Sequence, residues 1–190
     1  MVKIQFGSGE NILEGWTNLQ ESSLGGDITK PLMFGDGIVD FILAEHVVEH
    51  VTHRQAWHFF CECHRVLKSG GVARILVPDV AKIASLAQQD YFDFIRQGAK
   101  RWYHEARLPW ADKPVTKKEA VQTIIFCHGH QACWTEEMLR AILNSLGFVT
   151  GFATYGNSIF PELQGVDGHW KMMGLDRCRL ESCVVEAQKL

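Results

Sequence analysis

The sequence predicts an open α/β sheet with parallel strands at its centre, on three observations. Segments of strand character alternate with segments of helical spacing along most of the chain. The run Ile38–Ala44 is almost continuously apolar, which is typical of a strand buried on both faces. The strand candidate Val2–Phe6 leads directly into a glycine turn, Gly7–Gly9. In such sheets ligands bind beyond the carboxyl ends of the strands, so these ends are candidate sites.

The predicted elements follow one another in a regular order. The strands are Val2–Phe6, Trp16–Gln20, Ile38–Ala44, Val72–Pro78, Phe148–Tyr155 and Leu180–Ala187. Helical spacing follows Thr52 up to a stop at Lys68–Gly71, recurs around Val80–Arg96, and runs from an N-cap at Thr135 to Gly147. We expect residues 1–190 to form one domain, with a helical insert over residues 80–133.

Composition and charge limit the possible functions. The chain is 46% hydrophobic and carries a formal net charge of -3, which argues against a general binder of nucleic acid or anionic membranes but leaves a local basic patch open. The N-terminus lacks the apolar core of a signal peptide, and no apolar run reaches the roughly 18 residues of a membrane span. Six cysteines without framework spacing indicate reduced thiols. We therefore expect a cytoplasmic protein.

The stretch His46-Val-Val-Glu49-His50 fits H-x-x-E-H, the inverted zinc-peptidase signature. On a helix this spacing places both histidines on one face, within reach of one metal. Here His46 directly follows the buried strand, and a clear helix begins only after Thr52. We therefore favour a loop. A zinc hydrolase, and histidines that only cap the junction between strand and helix, stay open as alternatives.

Two cysteine–histidine clusters also have a metal-like appearance. They are Cys61-x-Cys63-His64 and Cys127-His128-Gly-His130-x-x-Cys133. Neither has the C-x-x-C spacing of a structural zinc site, and Cys61 and Cys63 would point about 200° apart on a helix. The two clusters could form a joint site only if the fold brought them together. We predict no metal.

The turn Phe6-Gly7-Ser8-Gly9 allows the backbone to approach a ligand closely. The dinucleotide fingerprint requires a third glycine, and position 12 is an isoleucine, which weakens a nicotinamide interpretation. Taken alone, the turn is equally compatible with an ordinary tight turn.

Several segments in order resemble the class I S-adenosylmethionine-dependent methyltransferases, in particular their small type 11-like branch. They are residues 6–20, 27–34, 39–50, 65–79, 135–148 and 182–187. In that family H-x-x-E-H recurs in the loop after the fourth strand. The resemblance implies a Rossmann-like methyltransferase sheet flanked by helices, with the insert after the family's fifth strand. It also implies S-adenosylmethionine as the cofactor.

The resemblance further implies which residues bind the cofactor. They are Phe6, Gly7, Gly9, Gln20, Asp27, Ile28, Ala44, Glu45 and His46. By this resemblance the glycines approach the amino-acid end, Asp27 and Ile28 contact the adenine, and residues 44–46 line the pocket near the methyl group. Gln20 is a departure, because the family normally has an acidic residue there for the ribose hydroxyls. A glutamine loses the charge-assisted bond, and Glu21 is the alternative.

The methyl acceptor should lie on the side of the insert. His46 is the first candidate base and His50 the second, since histidine titrates near neutral pH. His130 resembles a family histidine that faces the opening of the same pocket. Each of these three histidines could instead be a buried, hydrogen-bonded side chain. Residues 100–118 combine six basic with two acidic side chains, and include Trp102 and Tyr103. We expect these aromatic residues to contact a small-molecule acceptor, anionic or sugar-like, although a solvated insert or stacking on a nucleic-acid strand stays open.

The sequence thus predicts an S-adenosylmethionine-dependent methyltransferase with an unknown small-molecule acceptor. The alternative is a protein of the same fold with degraded chemistry, kept as a binding or partner module. Gln20, and the lack of a clear first helix between Gly9 and Trp16, keep that alternative open.

Overall fold

The computed structural model describes residues 1–85 and 128–190 without a break. Between them it describes only positions 93, 97, 105, 107, 109, 111–113, 116, 119, 122 and 125. Most of the predicted insert, including Trp102 and Tyr103, therefore lies outside the described residues. None of the helices in the described part of the chain is both long enough and apolar enough to cross a bilayer.

Six strands form one sheet, in the spatial order β2-β1-β3-β4-β6-β5. Their bounds are β1 Lys3–Phe6, β2 Thr17–Leu19, β3 Val39–Glu45, β4 Leu67–Pro78, β5 Phe148–Phe152 and β6 Ser182–Lys189. The first four strands are parallel, β6 is antiparallel to β4, and β5 is antiparallel to β6. The predicted open α/β sheet, parallel at its centre, is confirmed.

Five α-helices have their bounds within the continuously described ranges 1–85 and 128–190. They are α1 His53–Val66, α2 Val80–Ser85, α3 Glu136–Ser145, α4 Trp170–Met173 and α5 Leu175–Glu181, with 3₁₀ turns at Val48–His50 and Pro161–Leu163. The predicted N-cap Thr135 is confirmed, because its side chain accepts a hydrogen bond from the amide of Met138. Thr52 and Gln55 form a complete capping box, which fixes the start of α1.

Three predicted strand boundaries were wrong. Strand β4 begins at Leu67, directly after α1, so the predicted stop at Lys68–Gly71 lies inside the strand. An irregularity in the pairing of β4 with β3, and a left-handed Gly70 (φ 80°), allow this early start. Strand β5 ends at Phe152, and β6 begins only at Ser182 because the preceding residues form α5.

One face of the sheet packs against α1 and α3. The core of this face includes Phe59, Phe60 and Leu143 from the helices, and Ile42 from the sheet, all fully buried. Phe6 of β1 meets Phe59 edge to face, with ring centroids 5.2 Å apart. Burial of each such side chain stabilises the fold by about 1.5–3 kcal/mol.

The other face is covered in an unusual way. The connections over residues 7–16 and 20–38, all of them described, contain no helix, so the first two parallel crossovers lack the helices that normally cover a sheet. Residues 153–181 cover this face instead, and we call them the C-terminal cover. Tyr155, Leu163 and Cys178 of the cover pack on Leu43 and Leu76 of the sheet.

A buried ion-pair network joins the C-terminal cover to the sheet. Arg74 of β4 is fully buried and donates to Asp167 through Nε (2.7 Å) and Nη2, and to Glu186 through Nη1 (2.6 Å). The guanidinium also donates to the carbonyl oxygens of Thr154 and Asn157. The cover therefore has a defined position over the sheet.

Candidate functional site

The sheet brings most of the predicted cofactor residues to one edge. Phe6 pairs with Ala44 on one side and with Leu19 on the other, so three strand ends lie side by side. The residues that follow these ends are the glycine turn, Gln20 and His46. Phe6 and Ala44 are fully buried and support this edge from the core.

The two glycines of the turn have different surroundings. Both are left-handed, with φ 65° at Gly7 and 51° at Gly9. A Cβ at Gly7 would overlap Cγ2 of Val47, in the loop after β3, whereas a Cβ at Gly9 would meet nothing within 4 Å. Gly7 therefore serves the packing of the two loops, and Gly9 faces open space.

Ser8 provides a test of whether the turn fits a polar ligand. The residue is 3% exposed, and its Oγ has no hydrogen-bond partner among the described residues. Its backbone amide donates to the carbonyl of Leu19 (3.1 Å), which fixes the turn on β2. A buried hydroxyl left unpaired costs about 1–3 kcal/mol. The amino-acid end of S-adenosylmethionine could supply that partner, so the residues present fit the cofactor.

Gln20 and Asp27 lie in the loop after β2. Gln20 is exposed, and its amide Nε2 donates to the carbonyl of Gly9 (3.1 Å), so the side chain lies against the turn. Asp27 Oδ1 accepts from the hydroxyl (2.6 Å) and the amide (2.9 Å) of Thr29, and these bonds lower the pKa of Asp27. Ile28 is buried in the core. The ribose and adenine roles of these residues stay predictions.

Glu45 binds the C-terminal cover. Its carboxylate accepts from the Tyr155 hydroxyl (2.6 Å) and from the amides of Gly168 (2.7 Å) and His169 (3.0 Å). Burial and the charge of Glu45 raise the pKa of Tyr155. The carboxylate is thus engaged by the protein itself, and a contact between Glu45 and the cofactor stays a prediction.

His46 lies at the centre of a polar cluster. It is left-handed (φ 53°), its Nδ1 lies 3.0 Å from Glu49 Oε1, and its ring stacks on His169 at 4.1 Å. Burial alone would lower the pKa of His46, but the hydrogen bond and charge of Glu49 outweigh it and raise the pKa. Burial, with the nearby His46, lowers the pKa of His169 to about 4. The two stacked rings therefore differ in their tendency to carry a proton.

His50 and His130 are brought together. Their ring centroids lie 4.9 Å apart. Because His46 is left-handed and only Val48–His50 form a 3₁₀ turn, the helical pairing of His46 with His50 required by a zinc peptidase is not formed.

Cys127 lies outside the described residues, and the described members of the two cysteine–histidine clusters do not meet. His53, at the start of α1, contacts the carbonyl of Cys133, whereas His64, near its end, contacts Phe148. At 1.5 Å per residue these ends are about 16 Å apart. The described residues of the two clusters therefore form no joint metal site.

A cavity of about 330 Å³ adjoins the polar cluster. Lys82 and Arg179 line it together with Tyr155 and Ser182. Ser182 Oγ lies 3.4 Å from His46 Nε2, so the cavity wall is in contact with the cluster. Sequence reasoning missed this cavity, because Arg179 lies in no recognised segment and Ser182 was assigned only to a predicted strand.

Comparison with known families agrees with this architecture. Residues 8–75, which contain Ser8 and Gly9 of the glycine turn together with β2 and β3, match the sequence model of a family described as Methyltransferase domain. The match covers 68 of the 190 residues, and over these residues the chain is similar to that family. No curated protein sequence matches the chain.

Two solved structures show the same fold. One is an S-adenosylmethionine-dependent methyltransferase from Archaeoglobus fulgidus, which is 14% identical, with a TM-score of 0.51 over 98% of this chain and 85% of that one. The other comes from the complex of the Haloferax volcanii Trm112 methyltransferase activator with a methyltransferase. It is 12% identical, with a TM-score of 0.52 over 98% of this chain and 81% of that one. At these identities the likeness concerns the fold alone.

Proposed function

We propose that this chain is an S-adenosylmethionine-dependent methyltransferase that holds its cofactor at the turn Gly7–Gly9. The observation that carries the proposal is the unpaired, buried hydroxyl of Ser8 beside the open space at Gly9, at the carboxyl edge of a methyltransferase sheet. S-adenosylmethionine supplies an electrophilic methyl group when bound. The remaining task of the protein is to align an acceptor with that group.

The chain's own residues divide this task. The turn offers its backbone and the Ser8 hydroxyl to the amino-acid end of the cofactor. Gln20 and Asp27, in the loop beyond β2, are the proposed contacts for ribose and adenine. His46 remains the first candidate base, because it borders the cavity that we assign to the acceptor, and His50 remains the second.

The acceptor that the cavity fits best is a small anionic molecule. Lys82 and Arg179 bring two positive charges to the cavity wall. Arg179 is exposed, so it can meet a carboxylate or phosphate that enters from solvent. The contact between Ser182 and His46 joins this cavity to the carboxyl edge of the sheet. An acceptor bound there lies near the proposed base.

Titration calorimetry with S-adenosylhomocysteine tests the cofactor site. Gly9→Val places a side chain in the open space at the turn, and Gly37→Val is its matched control. Both glycines are left-handed (φ 51° and 60°), and a Cβ at either would meet nothing within 4 Å, but Gly37 precedes β3 at the opposite edge. We expect micromolar binding by the wild type and by Gly37→Val, and a loss of at least about tenfold in Gly9→Val. Equal affinities of the two variants for S-adenosylhomocysteine would show that the cofactor does not bind at the turn Gly7–Gly9.

A second candidate is a non-catalytic binding module of the same fold. The engagement of Glu45 by the C-terminal cover favours it, as does the glutamine at position 20. Transfer of a labelled methyl group to any member of a panel of carboxylate- and phosphate-bearing acceptors separates the two functions. Turnover above background supports the enzyme and excludes the non-catalytic module.

A further inference from the structure

Three side chains with metal-ligating atoms converge beside the proposed cofactor site. A carboxylate oxygen of Glu49 and one ring nitrogen each of His50 and His130 all lie within 4.8 Å of one another. The set combines neighbours from the H-x-x-E-H stretch with a histidine that is 80 positions away in the sequence. It leaves out His46, which pairs with the other side of Glu49.

The backbone holds these three residues in register. The carbonyl of Glu49 accepts hydrogen bonds from the amides of Gln131 (2.7 Å) and Ala132 (3.2 Å), and Gln131 Nε2 donates to the carbonyl of His50 (2.7 Å). The segment that carries His130 is thereby bound to the 3₁₀ turn that carries Glu49 and His50. The two rings are therefore close because hydrogen bonds to the carbonyls of Glu49 and His50 hold the two segments together.

Glu49 adds an independent observation that points to a ligand. The residue is 2% exposed, and its Oε2 has no hydrogen-bond partner within the described part of the chain. His46 satisfies only Oε1. A buried carboxylate oxygen without a donor is costly, and a cation is the partner that offsets this cost most fully. The orphaned oxygen belongs to the same side chain that approaches both histidines.

We propose that Glu49, His50 and His130 bind a divalent transition-metal ion of the Zn²⁺ type, in which case His50 is a ligand and His46 alone remains the candidate base. Two imidazoles and one carboxylate are a ligand set that such ions prefer, and three protein ligands leave a coordination position open. Bonds of about 2.0–2.1 Å require the ligand atoms to draw closer than they are in the structure, by small side-chain rotations. His46, hydrogen-bonded to Glu49, orients the carboxylate from behind.

Zinc titration of the chelator-treated, full-length protein tests the site. Zn²⁺ is titrated in competition with a chromophoric chelator into the wild type and into Glu49→Gln, His50→Ala and His130→Ala. His58→Ala is the matched control, because His58 is exposed on α1 and outside the cluster. We expect stoichiometric binding by the wild type and the control, and a loss of at least about tenfold in each of the other three.

Cobalt substitution provides a second readout that needs no variant. Co²⁺ bound by nitrogen and oxygen ligands gives d–d bands without a thiolate charge-transfer band, whereas capture by the nearby Cys133 gives that band. No stoichiometric Zn²⁺ binding, affinities unchanged in all three ligand variants, or a thiolate band in the cobalt protein would each overturn the proposal. None of these results depends on whether the chain binds S-adenosylmethionine.

Discussion

Gly7 and Gly9 show how one residue type serves two purposes within three positions. Both positions need a left-handed backbone, which disfavours a side chain by roughly 1–2 kcal/mol. Only Gly7 also faces Val47 closely enough for a Cβ to overlap it. Gly7 is therefore required for the packing of the two loops, whereas Gly9 borders the space that we assign to the cofactor.

We expect Gly7→Ala to lower the free energy of unfolding more than Gly9→Ala does. The strain of the backbone is common to both, but overpacking against Val47 adds about 1–3 kcal/mol at position 7 alone. Urea unfolding followed by circular dichroism measures the difference. Equal destabilisation of the two variants would show that Val47 moves away from the new Cβ at position 7 without a loss of stability.

Asp27→Ala should weaken binding of S-adenosylhomocysteine by about tenfold, the value of one good hydrogen bond to a charged group. Thr29→Val is the control, because it removes the Thr29 hydroxyl that Asp27 Oδ1 accepts from and leaves the carboxylate in place. Calorimetry on both variants decides between an adenine contact and a turn aspartate. An Asp27→Ala protein with wild-type affinity would leave the residue only its role in the turn.

The glycine turn was predictable from the sequence, because its requirements are local. The surroundings of Ser8 and Glu45 were not. The partners of Glu45 lie 110 to 124 positions further along the chain, and no short pattern encodes them. The same holds for His130, whose place beside His50 depends on the hydrogen bonds of Gln131.

At the scale of elements, the C-terminal cover is the distinctive feature of this sheet. It covers the face on which residues 7–38 form no helix. Its backbone amides at Gly168 and His169 donate hydrogen bonds to the carboxylate of Glu45. Lys171 of the cover also reaches Asn11, just after the glycine turn (2.8 Å). The cover thus contacts two strand ends of the proposed cofactor edge.

Glu45→Gln should lower the free energy of unfolding by about 1.5–3 kcal/mol, because an amide NH₂ cannot accept the bonds that the carboxylate oxygens receive. Glu14→Gln, at an exposed position, is the control and should stay within about 0.5 kcal/mol of the wild type. Chemical unfolding curves of both variants give the comparison. If the two variants unfold alike, the cover is not held by Glu45.

The helices that begin at Thr52 and Thr135 were predictable, because N-caps and an apolar stripe are local signals. The cover was not, because α4 and α5 are only four and seven residues long and show no sustained periodicity. The early start of β4 was missed for a related reason. Gly70 and Gly71 are typical of a helix stop, and only the pairing with β3 turns them into part of a strand.

At the scale of the whole molecule, Arg74 joins the sheet to its cover. We expect Arg74→Ala to lower the free energy of unfolding by about 3–5 kcal/mol, because it leaves the carboxylates of Asp167 and Glu186 buried without their cation. Arg54→Ala, an exposed change on α1, is the control. Thermal and urea unfolding measure both. A loss below about 1 kcal/mol would mean that the cover rearranges to solvate the carboxylates.

The sheet and its order along the chain could be predicted from hydrophobic periodicity and glycine stops. The antiparallel addition of β6 between β4 and β5 does not follow from such patterns, because register and neighbours are decided by long-range pairing. The family resemblance supplied the expected site residues, whereas the acidic and histidine contacts within that site required the folded chain.

Amide hydrogen exchange with and without saturating S-adenosylhomocysteine tests the central claim most directly. Our account predicts slower exchange in peptides that cover residues 6–11, 20–28 and 44–46, and unchanged exchange around Gly37 at the opposite edge. Saturation with no protection at residues 6–11, or protection confined to other parts of the chain, would contradict the placement of the cofactor at this edge of the sheet.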